Sequence, residues 1–152
     1  MFYWSEGSIA RGRVGDTSIS STKKIDSNRI TLGADKFVSN KALRGFAFSV
    51  GRNNVDVGTK GSNLDTDTYN ITYYDTTPIK DDTKFLDKIF GFGKLNSDLL
   101  TVLDGKKITA DRSGHQLYGT IRIKDEIEKN NFTFIPSGRF DIGHTMLSLI
   151  HI

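Results

Sequence analysis

The residue types that most often carry chemistry are few in this chain and far apart. The 152 residues include three histidines, His115, His144 and His151, and no cysteine. No two histidines have the i, i+4 spacing that would set two ligands on one helix face, so the pattern predicts no zinc site. The lack of cysteine excludes thiolate metal sites, disulfides and thiol nucleophiles.

Acidic pairs and serines carry no clearer signal. The pairs Asp65 with Asp67 and Asp81 with Asp82 lack the D-x-D-x-D-G loop of a calcium site, which makes solvated carboxylates the better interpretation. No serine lies in a Gly-x-Ser-x-Gly elbow, and the stretch GRNNVDVGTKGS does not have phosphate-loop spacing. The sequence therefore predicts no enzyme, no metal and no cofactor.

Composition and charge limit the partners. The chain has 21 basic and 18 acidic residues, a formal net charge of +3 spread along its length. So small and dispersed an excess predicts no nucleic-acid surface, and no residue constellation indicates a small-molecule substrate. No apolar run is long enough for a membrane helix. A membrane-spanning strand is apolar only at alternate positions over about 10 residues, so a membrane protein is not excluded.

The elements that must position any site are strands. Two-residue alternation recurs between loops rich in Gly, Asn, Asp, Ser and Thr, which predicts an all-β chain. Seven strands are predicted, at Tyr3–Val14, Asn28–Val38, Leu43–Val55, Thr66–Asp75, Lys84–Leu95, His115–Asp125 and Phe132–Thr145.

Within these strands one face is apolar and the other polar. In NRITLGADKF, Ile30 and Leu32 share one face while Arg29 and Thr31 share the other, because successive side chains point to opposite sides of a strand. The fifth strand, KFLDKIFGFGKL, gives an ambiguous assignment. Alternation alone does not decide which face is turned inward, because a soluble sandwich buries its apolar face whereas an outer-membrane barrel exposes it to lipid.

Strand and loop lengths favour the membrane alternative. Soluble strands usually run about 5 to 6 residues, whereas those predicted here run to about 10 or more, the length that a tilted membrane strand needs. The connections alternate as well: longer polar loops are predicted after the first, third and fifth strands and shorter ones after the second, fourth and sixth. Outer-membrane barrels, which have longer loops at one end than at the other, show the same alternation.

The order of these segments resembles the β-domain of bacterial autotransporters, the translocator of type V secretion. The segments are YWSEGSIARGR with Trp4 near its start, LGADKFVSNKALRGFAFSVGR with its Gly-x-Asp element at Gly33 to Asp35, GFG at Gly91 to Gly93, and IPSGRFDIGHT around Arg139. The resemblance covers Trp4 to about Met146 and consists of glycines, aromatics and alternation.

The resemblance implies an antiparallel, up-and-down transmembrane β-barrel in the bacterial outer membrane that supports export of an N-terminal passenger polypeptide in cis. Its implied partners are outer-membrane lipid and the outer-membrane assembly machinery. The barrel of the family has roughly twelve strands, within the range that such barrels adopt, so about seven strands would make residues 1–146 a partial barrel domain. Residues 147–152, LSLIHI, resemble the translation of a sequencing adapter and are predicted to be non-native.

Two alternatives remain open, another outer-membrane barrel such as a porin or adhesin and a soluble lipocalin-like β-barrel binding module. In the membrane interpretation, the polar face lines a hydrated lumen and the apolar face meets lipid. The predicted lumen-facing residues are Arg29, Thr31, Asp35, Thr68, Asn70, Thr72, Tyr118, Thr120, Arg122, Arg139 and Asp141. The predicted lipid-facing residues are Ile30, Leu32, Phe46, Phe48, Val50, Tyr69, Ile71, Tyr73, Leu117, Ile121, Ile123, Phe140 and Ile142.

Overall fold

A computed structural model describes residues 1–16, 21–58, 61–80 and 83–148. Regular structure in these ranges consists of strands, as the alternation predicts, and no helix among them is long and apolar enough to cross a membrane. The strands are β1 Phe2–Val14, β2 Lys23–Phe37, β3 Leu43–Val57, β4 Ser62–Lys80, β5 Lys84–Leu103, β6 Lys106–Asp125, β7 Ile127–Lys129, β8 Phe132–Phe134 and β9 Ser137–Leu147.

Seven of these strands form one antiparallel sheet in the order β1-β2-β3-β4-β5-β6-β9, and the short strands β7 and β8 pair separately as a hairpin. Each strand from β1 to β5 pairs with the next one along the chain, which is an up-and-down meander, and β6 pairs with β9. Strands β1 and β9 lie at the two edges of the sheet. The predicted all-β, antiparallel, up-and-down architecture is confirmed.

On one side of the sheet the strands are longer than predicted. Strand β2 begins at Lys23 rather than Asn28, and β5 and β6 run on to Leu103 and Lys106. Strand β3 ends at Val57 and β4 begins at Ser62, so the predicted long loop after the third strand is wrong, and so is the one after the fifth. A two-residue turn replaces it, formed by Asp104 with φ 48° and Gly105 with φ 77°. Positive φ at both central residues is the mark of a type I′ turn, which matches the twist of the flanking strands.

The predicted strand Phe132–Thr145 is also wrong at its start, because it is divided into β8 and β9. The interruption lies at Ile135 and Pro136. Proline has no N–H to donate to a ladder and is therefore confined to edges and breaks. Its carbonyl is used instead, accepting a hydrogen bond of 3.1 Å from the amide of Asp125.

The last strand ends at Leu147, and Ser148 remains attached to the sheet. Its amide donates to the carbonyl of Ser113 at 2.7 Å, and its hydroxyl accepts from the amide of Ser113 at 3.0 Å. The remaining residues, 149–152, lie outside the described residues. The interpretation of residues 147–152 as non-native, and with it the division of the chain at residue 146, stays a prediction.

The sheet lacks the core of a soluble domain. Among the described residues the buried apolar side chains are small or isolated, namely Ala47, Phe85 and Ala110, and no side chain is completely buried. Soluble domains instead bury their apolar faces between two packed layers. Here most of the large apolar side chains of the main sheet remain exposed.

Candidate functional site

Strand register divides the predicted site residues cleanly between the two faces of the sheet. Residues paired across antiparallel strands point to the same face, so a row can be followed across the sheet. One such row runs Gly33, Ala47, Thr72, Gly91 and Tyr118. All eleven residues predicted to line a lumen share its face, which is termed the polar face.

The adjacent row belongs to the opposite face. It runs Leu32, Phe48, Ile71, Phe92 and Leu117 across five strands. All thirteen residues predicted to meet lipid share this face, which is termed the apolar face. Which face meets lipid and which meets water stays a prediction, and it is taken up below as a proposal.

Pairing assigns the fifth strand, whose faces the sequence left ambiguous. Phe90 pairs with Tyr73 and Phe92 with Ile71, so both phenylalanines lie on the apolar face. The two glycines of the GFG motif, Gly91 and Gly93, lie on the polar face. Their small size explains the ambiguity, since a glycine carries no signal of polarity in an alternating pattern.

Aromatic side chains of the polar face lie over glycines of neighbouring strands. Trp4 pairs with Gly33, and Tyr118 pairs with Gly91. A Cβ at either glycine would overlap the ring of its aromatic partner, and Tyr74 covers Gly45 in the same way. A ring placed over glycine backbone restores the packing that the missing side chain would have supplied, and it pins the register of the strand pair.

The same rings begin a hydrogen-bonded chain across four strands. The indole N–H of Trp4 donates to the hydroxyl of Tyr74 at 2.9 Å. That hydroxyl donates to a carboxylate oxygen of Asp35 at 2.9 Å. In the row next to that of Asp35 and Tyr74, the hydroxyls of Tyr118 and Thr72 lie 2.5 Å apart. The polar face is therefore cross-linked by side chains as well as by backbone ladders.

Two further carboxylates of this face are held by arginines. Asp87 accepts from Nε of Arg122 at 2.7 Å and from the hydroxyl of Thr76 at 2.8 Å. Asp141 accepts from Nε of Arg139 at 2.9 Å and from the hydroxyl of Thr120 at 2.6 Å. Charge-assisted hydrogen bonds of this kind are shorter and stronger than those between neutral groups.

Arg29 differs from Arg122 and Arg139, which pair with carboxylates of the polar face. Within the described part of the chain its guanidinium forms no hydrogen bond or ion pair. Its Nε lies near Gly51, 3.5 Å from the place that a Cβ there would take. Arg29 is thus a cation on the polar face that remains open to a partner from outside the described residues.

The apolar face is far more exposed than a soluble sheet permits. Ile30 is 64% exposed, Leu32 57% and Phe140 66%. On the polar face, by contrast, Ala47, Ser49 and the glycines beside them are buried. The structure therefore shelters the polar side and displays the apolar side. A large exposed apolar surface of this kind marks a protein or membrane contact.

Charged pairs bound the apolar band. On β3 and β4 one margin carries Arg52 and Asp67, joined at 2.7 Å and 3.1 Å. The other margin carries Arg44 and Asp75, joined at 3.0 Å. Eight residues separate Arg44 from Arg52, which is about 26 Å of strand at the usual rise per residue. Strands of membrane barrels are tilted by about 35–45°, so this length spans about 20 Å of height, close to the apolar band of about 25 Å that such a barrel presents.

The residues first considered for chemistry are not brought together. His115 stacks on Phe92 at 5.7 Å between ring centroids, on the apolar face. Asp65 accepts from the side-chain amide of Asn54, and Asp67 is held by Arg52. Within the described ranges no three His, Cys, Asp or Glu residues lie close enough to hold a metal ion. His151 and the pair Asp81 and Asp82 lie outside those ranges.

Just after the end of β1, the carboxylate of Asp16 has a lowered pKa. The hydroxyl and the amide of Thr22 both donate to Asp16. These two hydrogen bonds, of which the one from the hydroxyl has the larger effect, hold the pKa of Asp16 below its ordinary value of 3.8. The contact ties the end of β1 to the start of β2.

Several residues of the polar face were missed by sequence reasoning. Trp4 was noted only as a landmark of the first strand, and Asp87 lies on the strand with ambiguous faces. Asp87 could have been found from Arg122, because an arginine on a hydrated face needs a partner and the neighbouring strand supplies few acids. Tyr74 shares its face with Thr72, so alternation alone would have added it to the set.

Comparison with known proteins supplies one match. The family model of the autotransporter beta-domain matches residues 3–148. No curated protein and no solved structure matches the chain.

Proposed function

We propose, from the premise that this chain belongs to the autotransporter β-domain family, that its sheet forms part of the wall of an outer-membrane pore that supports export of an N-terminal passenger polypeptide. The family is that of the translocator domains of type V secretion in the bacterial outer membrane. Export of a passenger by this chain is the step that the proposal adds.

The observation that carries the proposal is the inverted distribution of side chains. Exposed Ile30, Leu32 and Phe140 lie on one face, and the sheltered hydrogen-bonded carboxylates lie on the other. Exposing such a face to water leaves its apolar surface unburied, at a cost of about 25 cal/mol for each Å². Lipid removes that cost, and the polar face is then free to line a hydrated lumen.

In this role the lumen needs neither a cofactor nor a reacting group. Its wall presents hydroxyl and amide side chains, such as Thr31 and Asn70, between paired carboxylates and arginines. Groups of this kind hydrogen-bond a passing polypeptide weakly and exchange with water, so no position holds it. Aromatic rings seated over glycines keep the wall thin, because a ring that lies against glycine backbone projects less into the lumen than one that packs on a side chain. The proposed mechanism is a passive conduit.

A matched pair of substitutions on β2 tests the face assignment. Leu32 and Thr31 are neighbours on opposite faces, and neither side chain forms a polar contact within the described residues. We expect Leu32→Lys to block stable insertion into vesicles in a flotation assay, because a lysine facing lipid near the midplane costs about 2–4 kcal/mol. Thr31→Lys, facing the lumen, is expected to insert like the wild type.

The same two variants also distinguish the membrane assignment from the soluble alternative. A soluble binding module would bury its apolar face, so Leu32→Lys would destabilise it as well, but neither the wild type nor the variants would then float with vesicles. Equal flotation of both variants would contradict the membrane assignment, and loss of Thr31→Lys alone would reverse the two faces.

Export is tested separately from insertion, by sequencing the genomic DNA on both sides of this open reading frame. An autotransporter requires a passenger encoded upstream in the same frame, whereas a porin does not. We expect a long continuous frame before the codon for Met1. A stop codon shortly upstream would contradict passenger export and favour another outer-membrane barrel. The downstream flank shows whether the gene encodes Leu147 to Ile152.

A further inference from the structure

Towards the 38–42 connection, the apolar face carries on β2 to β5 a row rich in cations, which continues on β6 and β9 with the apolar residues Ile121 and Phe140. Lys36, Arg44, Asp75 and Lys88 follow one another in register across β2 to β5. Three cations against one carboxylate leave this row a formal charge of +2. These four residues are termed the basic cluster. Charge of one sign beside an apolar surface is what an amphipathic ligand with an anionic head would recognise.

Asp75 fixes two of the cations in place. Its side chain is almost wholly buried, although the arginine and lysine beside it are about half exposed. One carboxylate oxygen accepts from Nε of Arg44 at 3.0 Å, and the other lies 2.8 Å from Nζ of Lys88. The hydroxyl of Thr77 also donates to it, at 2.8 Å. The carboxylate therefore serves as an anchor that orients its neighbours.

Donor capacity remains at the surface after these contacts. A guanidinium has five N–H groups, and Arg44 uses its Nε on Asp75, which leaves the terminal amino groups for another acceptor. An ammonium has three, and Lys88 uses one. Lys36 forms no ion pair or hydrogen bond within the described residues. A planar guanidinium with free amino groups suits a phosphate oxygen pair.

The rows beside the basic cluster follow the layers of a lipid leaflet. Next to it lies a row of aromatic residues that includes Phe46, Tyr73 and Phe90. The rings of Phe46 and Tyr73 pack at 5.1 Å between centroids. Beyond them comes the aliphatic and aromatic row through Leu32 and Ile71. Apolar, aromatic and cationic rows in this order match acyl chain, interface and headgroup phosphate.

The opposite margin of the apolar face has the reverse charge. There Arg52 is already paired with Asp67 through two hydrogen bonds. The next row outward has a formal charge of −3, from one arginine and four aspartates. It consists of Arg11, Asp26, Asn54, Asp65, Asp98 and Asp111. An anion near the apolar face therefore meets repulsion at that margin and attraction at the basic cluster.

We propose that the basic cluster is a binding site for the phosphate headgroup of an anionic phospholipid, whose acyl chains lie along the apolar face. The inference rests on the proposed function, because it requires the apolar face to meet lipid. The ribbon of β5 and β6 projects beyond the apolar band on the opposite side, and outer-membrane barrels carry their longer parts on the extracellular side. The site therefore belongs to the periplasmic leaflet, and Arg44, Lys88 and Lys36 supply its donors.

Electron paramagnetic resonance of spin-labelled lipids tests the site on the full chain in phosphatidylcholine vesicles. The measured quantity is the association constant of spin-labelled phosphatidylglycerol relative to that of spin-labelled phosphatidylcholine. We expect Lys36→Gln to lower this ratio about fivefold, from roughly 1 kcal/mol per surface cation. The variant leaves the contacts of Asp75 intact, so folding is preserved.

A second variant removes the anchored cations without stranding the buried carboxylate. Arg44→Gln, Asp75→Asn and Lys88→Gln together replace the ion pairs by neutral side chains of similar size, and the ratio is expected to fall about fivefold or more. The matched control, Arg52→Gln with Asp67→Asn, neutralises the pair at the opposite margin and is expected to leave the ratio unchanged.

The outcomes distinguish the inference from the function on which it rests. An unchanged ratio in both Lys36→Gln and the triple variant, in chains that float with vesicles, would overturn the headgroup site alone. An equal fall in the control, which keeps the net charge of the chain, would show a general effect of removing ion pairs beside the apolar face and would also overturn it. Wild-type chain that does not float with vesicles would contradict the proposed function and remove the inference with it.

Discussion

At the scale of single residues, the polar face depends on pairs in which one partner has no side chain. Tyr118 and Gly91 are direct cross-strand partners, and so are Trp4 and Gly33. The ring gains packing against backbone, and its polar tip reaches a neighbour, as the hydroxyl of Tyr118 reaches Thr72. A glycine in a strand ordinarily weakens it. Here the aromatic partner offsets that weakness.

Gly91→Ala is expected to destabilise the protein although alanine suits a strand better than glycine. The new methyl group would overlap the ring of Tyr118, and overpacking of this kind costs about 1–3 kcal/mol. The measurement is the free energy of unfolding in urea from detergent micelles.

The control for this substitution lies in the same row on the same face. Gly143 pairs with Tyr118 from the other side, and a Cβ there would meet nothing within 4 Å. Gly143→Ala is therefore expected to be neutral or slightly stabilising. Equal effects of the two substitutions would show that the ring does not need Gly91. In the double variant Gly91→Ala with Tyr118→Ala, the loss should be smaller than the sum of the single losses.

At the scale of elements, the hairpins on one side of the sheet extend beyond the apolar band. Strands β5 and β6 pair from Lys84 with Asp125 to Leu103 with Lys106, twenty residues each. Only part of that length belongs to the apolar band, and the projecting part mixes polar residues with the exposed apolar residues Leu99, Leu103 and Ile108. A turn as tight as Asp104 and Gly105 keeps the two strands in register to their ends, so this projection is a regular ribbon.

Gly105→Ala tests whether the turn sets the register of this ribbon. The residue has φ 77°, where an L side chain costs roughly 1–2 kcal/mol. We expect a loss of that size in the free energy of unfolding, measured by urea titration in detergent. Gly12→Ala in β1 is the control, since a Cβ there meets nothing within 4 Å and its φ is not positive. No difference between the two would indicate that the ribbon is held by its ladder alone.

How much of this fold the sequence predicts depends on how each element is encoded. Alternation predicted β2, β3 and β4 with their faces, because large apolar residues such as Phe48 and Ile71 contrast with polar neighbours. The faces of β5 were not predicted, since its polar-face positions combine Asp87 with glycines and aliphatic residues, and only pairing fixes their orientation. The Asp-Gly dipeptide at 104–105 is a strong hairpin signal that was hidden inside an apparent loop.

Parts of the candidate site lay beyond what one sequence can predict. The eleven residues on the polar face follow from the period of two, which needs no knowledge of partners. The partnerships of Asp35 with Tyr74 and of Asp87 with Arg122 depend on register between strands that are far apart in sequence. Register is set by turns and packing, and neither was predicted accurately enough to pair individual side chains.

At the scale of the whole molecule, the sheet of the described residues is open. Its edges are β1 and β9, which pair with β2 and β6 only. Each edge presents a row of backbone N–H and C=O groups without sheet partners. Such edges are templates for pairing with other chains in water, and at membrane depth each unpaired group costs several kcal/mol. A stable state must cover both these edges and the apolar face.

The 152-residue chain on its own is therefore expected to associate in water and to become discrete only in detergent. Two independent features drive the association, the exposed apolar face and the two free edges. Detergent covers the face but forms no ladder with an edge. Light scattering after gel filtration should consequently show large aggregates without detergent, and with it small assemblies in which edges of different copies pair. A monodisperse monomer in plain buffer would contradict the membrane assignment, because 32 large apolar side chains of the described residues are exposed in a single copy. A strict monomer in detergent would instead show that the edges protect themselves without a partner strand.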